Sequence, residues 1–373
     1  MQDLDPALQQ ALRLSNDEDD FDAAQDLLLD AVTRKIPRSQ WAYGTFLASW
    51  GRYEEAEPVL RSALANQEEG AELALAGVLE DMGHTQDAVK ILLPKAQLGV
   101  PGFSLQLADT LAEHLEYRLE AEHWYLKALQ QDDPDAPNNY AVHLGSLGRK
   151  EEAKKFLLQG IKAGDTKAMV NYARALSEDG NGELAIQFWQ RAVSSGEVSA
   201  LLDLALHYEE SEQLDAAEEC YLQAVTDGLP EAHVKYGIFL SELEGREADA
   251  ESSFLAAIDN REPSGHWEYA LYLNELGRKG EAVQQYHHAI EDGCTDAYLN
   301  LAVYHELRGE KEQAEQNYRA SLDAGDVLAP IGYAEFLAEN GASARRLHAV
   351  LERAREIGAP EEDVSKIERM AQL

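Results

Sequence analysis

The chain has 373 residues, 45% of them hydrophobic, and 32 Lys and Arg against 69 Asp and Glu give a formal net charge of −37. So negative a surface repels phosphate backbones and anionic lipid headgroups, which excludes nucleic acid and membrane as favoured partners and leaves basic protein segments as the attracted class. Cys220 and Cys294 are the only cysteines and stand in no metal-ligand spacing, so no disulfide framework, metal site or other cofactor is expected, and the usage fits a reducing, cytoplasmic compartment.

Taken from the start, Met1 to Ala11 carries acidic residues and no apolar stretch of the kind a secretory leader has. No apolar run anywhere approaches the length of a membrane span. Residues 1–37 predict a degenerate first repeat, with a short helix beginning near Pro6 and an acidic stretch at Asp17 to Asp20.

Residues 38–359 predict ten regular repeats. One register of small residues runs Gly44, Ala76, Ala108, Ala141, Ala173, Ala205, Gly237, Ala270, Ala302 and Ala334, in steps of 32 or 33, each preceded by Tyr or Leu. A second register runs Ala24, Ala56, Ala88, Ala121, Ala153, Ala185, Ala217, Ala250, Ala282 and Ala314. Four residues after each comes a large side chain, from Leu28, Leu60 and Leu92 through Tyr125, Leu157 and Trp189 to Tyr221, Phe254, Tyr286 and Tyr318. A spacing of four puts the alanine and its large follower on one helix face. The small residue lets two helices approach and the large one fills the neighbouring groove. Each repeat therefore reads as a helix A on the first register and a helix B on the second.

A corner between A and B carries glycine at Gly51, Gly83, Gly148, Gly180, Gly245, Gly277, Gly309 and Gly341, as a left-handed helix terminus requires. The corners at Glu116 and Glu212 lack it and are expected to be looser. Helix B ends at a second glycine in several repeats (Gly99, Gly164, Gly196), and the next helix A opens at a Pro, Thr or Asp such as Pro101, Thr166, Pro263 or Asp296. In the last repeat Arg346 takes the place of the second-register alanine. Residues 360–373 then predict a capping helix with Val364, Ile367 and Met370 on one face. The whole is an all-α solenoid of about eleven helix–turn–helix repeats, which needs its neighbours for burial because such short helices are marginal alone.

The run Tyr269-Ala270, Leu276-Gly277-Arg278, Glu281-Ala282 and Tyr286 closely resembles the tetratricopeptide repeat. The joint from B to A is shorter than in that family's repeat of about 34 residues. There Arg191-Ala192-Val193, Gly196 and Ala200 to Leu204-Ala205 resemble the joint of Sel1-like repeats, without the extra glycine-containing loop those repeats carry. The resemblance covers nearly the whole chain. It implies a right-handed superhelix whose helix A elements line a concave groove for an extended peptide or a partner helix.

In that family geometry the groove positions lie three and two residues before the first register, and one, four and five after it. The position two before supplies Asn139, Asn171, Asp203 and Asn300, and asparagine suits two-sided bonding to a peptide backbone. With Asn138, Lys167 and Arg174 close by and Lys235 two repeats on, the family's asparagine ladder, or its clamp on a terminal carboxylate, is the expected analogue. The ladder is broken by Ala42, Ala74 and Gln106. The position five after supplies an acidic stripe of Asp81, Glu113, Glu178, Glu210, Glu242, Glu275 and Glu339, suited to a basic partner segment or simply to a solvated corner. Carboxylates at a helix C-terminus oppose the helix dipole, so their recurrence asks for a reason. Trp41 and Trp267, three before the register, are the candidate apolar anchors.

Catalytic motifs do not emerge. There is no HExxH, Gly145-Ser146-Leu147-Gly148 is a helix corner, and Gly180-Asn181-Gly182 follows no strand. His287-His288 falls on a helix B, one ring expected to pack and the other to be wet. The expected function is a non-enzymatic scaffold that binds a protein or peptide. A self-associating structural protein and a sensor of a small ligand stand as the alternatives.

Overall fold

The structure, a computed structural model, describes residues 5–14, 21–114, 117–262 and 264–372. The expected features at Asp17 to Asp20, Glu116 and Pro263 lie outside these described residues. The chain divides into two compact units, Met1–Glu197 and Val198–Leu373. The first holds α1 (Pro6–Leu14), α2 (Phe21–Thr33), α3 (Ser39–Ser49), α4 (Tyr53–Ala65), α5 (Ala71–Asp81), α6 (Thr85–Gln97), α7 (Phe103–Ala112), α8 (Arg118–Gln130), α9 (Ala136–Ser146), α10 (Lys150–Ala163), α11 (Thr166–Glu178) and α12 (Gly182–Ser194). The second holds α13 (Ala200–Glu210), α14 (Leu214–Thr226), α15 (Ala232–Ser241), α16 (Glu247–Asp259), α17 (Gly265–Glu275), α18 (Lys279–Glu291), α19 (Ala297–Leu307), α20 (Lys311–Ala324), α21 (Ala329–Glu339), α22 (Ala344–Glu356) and α23 (Glu361–Ala371). Among the described residues there is no strand, and within each unit the helices pack in consecutive pairs.

Both registers are buried in every pair where they fall, and so are the large side chains that follow the second. The first register needs its small residues. A Cβ added at Gly44 would stand 2.5 Å from Leu60 Cγ, and one at Gly237 would stand 3.0 Å from the Phe254 ring. The joints repeat this logic in a place the two registers do not cover. Late in helix B and at the start of the next helix A, small residues face each other: Gly160 lies against Ala168, where an added Cβ would come within 2.9 Å of the alanine methyl. Ala63 and Ala71, Ala128 and Ala136, and Ala224 and Ala232 are likewise fully buried. Two small faces let the short joint close without a longer loop.

A second device ties repeats together. Tyr140 Oη donates to Glu122 Oε1 at 2.7 Å and Arg149 reaches the same oxygen at 2.8 Å while also holding Glu152. The set recurs as Tyr236, Arg246 and Glu218, and again as Tyr269, Arg278 and Glu251. In each, a carboxylate on helix B is gripped by the tyrosine and the post-corner arginine of the following pair. These bonds hold Glu122, Glu218 and Glu251 below the ordinary carboxylate range, and burial with the nearby carboxylate pushes Tyr140, Tyr236 and Tyr269 up to about 12.

The corner at Glu212 is not looser than its relatives. Glu212 itself takes φ +58, and the bonds Glu212 N–H to Glu209 O (2.9 Å) and Gln213 N–H to Tyr208 O (2.8 Å) match those at Gly180 and Asn181. The geometry is kept at the cost of left-handed strain in a residue with a Cβ. His287 and His288 are both exposed, so neither ring is packed in a core; the His288 ring lies 5.2 Å from that of His266. At the C-terminal end, Ile367 is fully buried and Val364 and Met370 pack against the same cluster as Leu347, Val350 and Leu351.

Candidate functional site

Within each unit, pockets open beside the helix A elements. In the first unit, α7, α9 and α11 bring the predicted asparagines into one hydrogen-bonded line. Arg174 donates to Asn171 Oδ1 at 3.3 Å, and Asn171 Nδ2 to Asn138 Oδ1 at 2.8 Å. Asn138 Nδ2 donates to Asn139 Oδ1 at 3.3 Å, and Asn139 Nδ2 to Asp109 Oδ2 at 3.0 Å. Tyr125, the large follower on α8, closes the line by donating to Asp109 Oδ1 at 2.7 Å. Each asparagine amide retains one N–H and one lone pair beyond these bonds, so the line is pre-oriented without being saturated.

Asp109 is not among the residues that the sequence singles out. It sits one after the first register, a groove position, where burial raises its pKa against the two hydrogen bonds that lower it. Glu80, four after the register on α5, accepts from Gln106 Nε2 at 2.9 Å and from the Thr110 hydroxyl. Burial, then the charge of Glu113, pushes Glu80 up to about 7. No Lys or Arg among the described residues forms an ion pair with Glu80, Asp81, Asp109 or Glu113. The pocket beside them, about 410 Å³, is lined by Asp109, Glu113, Tyr125, Asn139, His143 and Ser146 with Ala112 and Val142.

A neighbouring pocket of about 280 Å³ gathers Asn171 and Arg174 with Lys150, Lys154 and Glu178. Lys150 pairs with Glu178 at 2.7 Å, and Lys154 with Glu151 at 2.7 Å and with Asp179. Lys167, four residues before Asn171, is exposed and lines neither pocket. Trp41 serves the packing between repeats. Its backbone N–H donates to Glu68 at 2.8 Å, its ring takes the Arg38 guanidinium at 4.3 Å, and its Nε1 lies against Gly70.

In the second unit, Trp267 Nε1 donates to Asn300 Oδ1 at 3.2 Å, which joins two predicted residues on adjacent helices α17 and α19. Asn300 also lines a pocket of about 480 Å³ with Asn274, Tyr286, Leu299 and Val303. Lys235 lies 3.9 Å from Glu231 and joins neither of these. All seven residues of the acidic stripe are exposed, each at or beside the last residue of its helix A. Glu178 alone among them has a cation within ion-pair distance.

No family model matches the chain, and no curated protein matches its sequence. Among solved structures it is similar to yeast Tom70, at 14% identity over 98% of this chain and 95% of that one, with a TM-score of 0.52. It is also similar to c5321, a protective antigen of uropathogenic Escherichia coli strains displaying an SLR fold, at 16% identity over 98% and 90% with a TM-score of 0.43. A third is the human IFIT1 dimer with PPP-AAAA, at 14% identity over 95% and 94% with a TM-score of 0.48. Identities this low speak to fold alone. With its paired helices, its two small-residue registers and the Tom70 likeness, the chain has the all-α helical-repeat fold of tetratricopeptide and Sel1-like repeat proteins.

Proposed function

We propose that the chain is a protein-interaction scaffold whose helix A surfaces hold a basic peptide or helical segment of a partner. One observation carries this reading: most carboxylates at the C-terminal ends of helix A stand without an ion-paired Lys or Arg among the described residues, although cations are present and engaged elsewhere. Arg149, Arg246 and Arg278 are committed to the bonds between repeats. Six of the seven stripe residues, with Glu80 and Asp109, have no such partner among the described residues. Like charges gathered without counter-charges cost stability, and a cationic partner relieves that cost. Exposed Val142, Leu206 and Val303, each one after the register, add apolar contact along the same positions. The asparagine line fixes an extended backbone between them. The −37 charge speaks against an RNA ligand at this surface.

The test is an array of twelve-residue peptides of basic, neutral and acidic composition, probed with the purified full chain at several salt concentrations. Basic peptides should bind and lose affinity steeply as salt rises. Equal retention of acidic and basic peptides, or affinity indifferent to salt, would remove the electrostatic reading. Light scattering on the same samples separates this from self-assembly.

A further inference from the structure

In the second unit, the pocket of about 480 Å³ beside α17, α18 and α19 holds a tyrosine whose hydroxyl is unanswered. Tyr286 is the large follower on α18 and is 3% exposed. The other tyrosines at that place each give their hydroxyl to a carboxylate of the preceding helix A: Tyr125 to Asp109 at 2.7 Å, Tyr221 to Glu209 at 2.8 Å and Tyr318 to Glu306 at 2.5 Å. Glu209 and Glu306 stand 12 residues before their tyrosines, and the same place on α17 carries Asn274. The Tyr286 hydroxyl has no hydrogen-bond partner among the described residues. Its oxygen is not sealed in the core and reaches the pocket that its ring lines. Burial, then the charge of Glu275, pushes its pKa up to about 12, so near neutrality it stays an O–H donor. A donor left open on so buried a side chain forfeits free energy that an incoming acceptor restores.

The rest of the pocket indicates what that acceptor is attached to. Asn300 takes the Trp267 Nε1–H on Oδ1 at 3.2 Å and keeps its own amide N–H groups, and the Asn274 amide has no partner among the described residues. Lys279 begins α18 as Lys150 begins α10. Lys150 pairs with Glu178 of the next helix A, whereas the matching place on α19 is Leu307, and Lys279 has no ion pair among the described residues. Leu307 is 76% exposed and Val303 43%, and with Val283 and Leu299 they form an apolar wall. Single exposed leucines need no explanation, but four apolar side chains converging on one cavity do. No carboxylate lines this pocket, so a guanidinium or ammonium finds no counter-charge in it. The charge of Glu275 is felt at Tyr286, which favours a neutral acceptor over an anion. A large apolar body with carbonyl oxygens beside it meets these terms, and that is what an apolar residue of an extended peptide presents.

We infer that this pocket seats a large apolar side chain of a partner segment. Tyr286 donates its hydroxyl to that residue's main-chain carbonyl, and the Asn274 and Asn300 amides bond the peptide backbone to either side. The site rests on the reading that helix A surfaces hold a partner segment, and it states where along that segment an apolar residue, not a basic one, is selected.

The experiment uses the full chain carrying ¹⁵N-labelled tryptophan, titrated with short peptide amides that have lysine and serine flanks and either leucine or alanine at the centre. The Trp267 indole signal, assigned with the variant Trp267→Phe, reports on the pocket because Asn300 holds that N–H. The leucine peptide should move the signal and saturate, and the alanine peptide should bind at least about tenfold more weakly. Tyr286→Phe removes only the hydroxyl and should weaken the leucine peptide by about threefold to tenfold, with no loss of stability. Leu307→Glu sits at an exposed position and introduces the acid of the stripe, so it should erase the preference for leucine over alanine while the attraction for lysine persists. Equal affinity for the two peptides, or binding that leaves the Trp267 signal still, would overturn the pocket and leave the basic-segment reading standing. Absence of binding by both peptides would overturn the two together. A shift produced by N-acetyl-leucine and not by N-acetyl-leucinamide would overturn the main-chain carbonyl in favour of a free carboxylate.

Discussion

Glu80 offers the sharpest check on the electrostatics of this surface. Its carboxyl is pushed up to about 7 by burial and by the charge of Glu113, from an unfolded value of 4.5. Because the folded value lies above the unfolded one, the group favours folding only while protonated. That contribution is complete below about pH 4.5, declines as pH rises toward 7, and is gone above it. A pKa difference of about 2.5 corresponds to about 3.4 kcal/mol, and discounting for the solvent that still reaches the group leaves about 1–2 kcal/mol. Glu80→Gln keeps the shape and a hydrogen-bonding oxygen for Thr110 or Gln106 while removing the charge. The variant should be more stable than the parent by about 1–2 kcal/mol at pH 8, and the gain should shrink toward zero near pH 5. Urea unfolding at both pH values, followed by hydrogen exchange in α5 and α7 to place the effect locally, measures this. A variant equally stable at pH 8, or one whose gain is the same at both pH values, would refute the argument that these carboxylates are held together against their repulsion.

Two further substitutions test the packing. Gly44→Ala places a methyl 2.5 Å from Leu60 Cγ and should destabilise by about 1–3 kcal/mol in chemical denaturation; pairing it with Leu60→Val should recover part of that loss as a measured coupling. Glu212→Gly relieves a left-handed residue and should stabilise by about 0.5–1 kcal/mol, read as a raised melting temperature, with no gain if the corner carries no strain.

The repeat was legible because its signal is one of size. Where two helix backbones close on each other only Gly or Ala fits, and where the groove must be filled only a large side chain serves, so Gly44 with Leu60 and Ala250 with Phe254 announce themselves at any distance along the chain. The left-handed corners were legible for the same steric reason, and Glu212 misled because a residue with a Cβ accepted the strain in place of glycine. Charge and amide chemistry read less well. Asn138 to Asn171 was visible as a cluster, but its continuation to Asp109 depends on rotamers and on the relative phase of α7 and α9. Lys167 shares a helix face with Asn171 by spacing, yet its long side chain turns to solvent. Asp109 and Glu80 occupy groove positions, and nothing in the sequence sets them apart from other acids of helix A; what half-buries them is the wall supplied by the neighbouring helices.

The tyrosine–carboxylate–arginine ties have a consequence for how such an array can change its length. The pair α15 and α16 carries the receiving half of one tie, Tyr236 and Arg246, and the offering half of the next, Glu251. Cut out as a block, it would bring Glu218 opposite Tyr269 and Arg278, the same three side chains at the same spacing. The seam left behind closes with the parts that were there before. Such a block behaves as an interchangeable cassette, so genes built this way can lose or duplicate a unit while the bonds between repeats re-form.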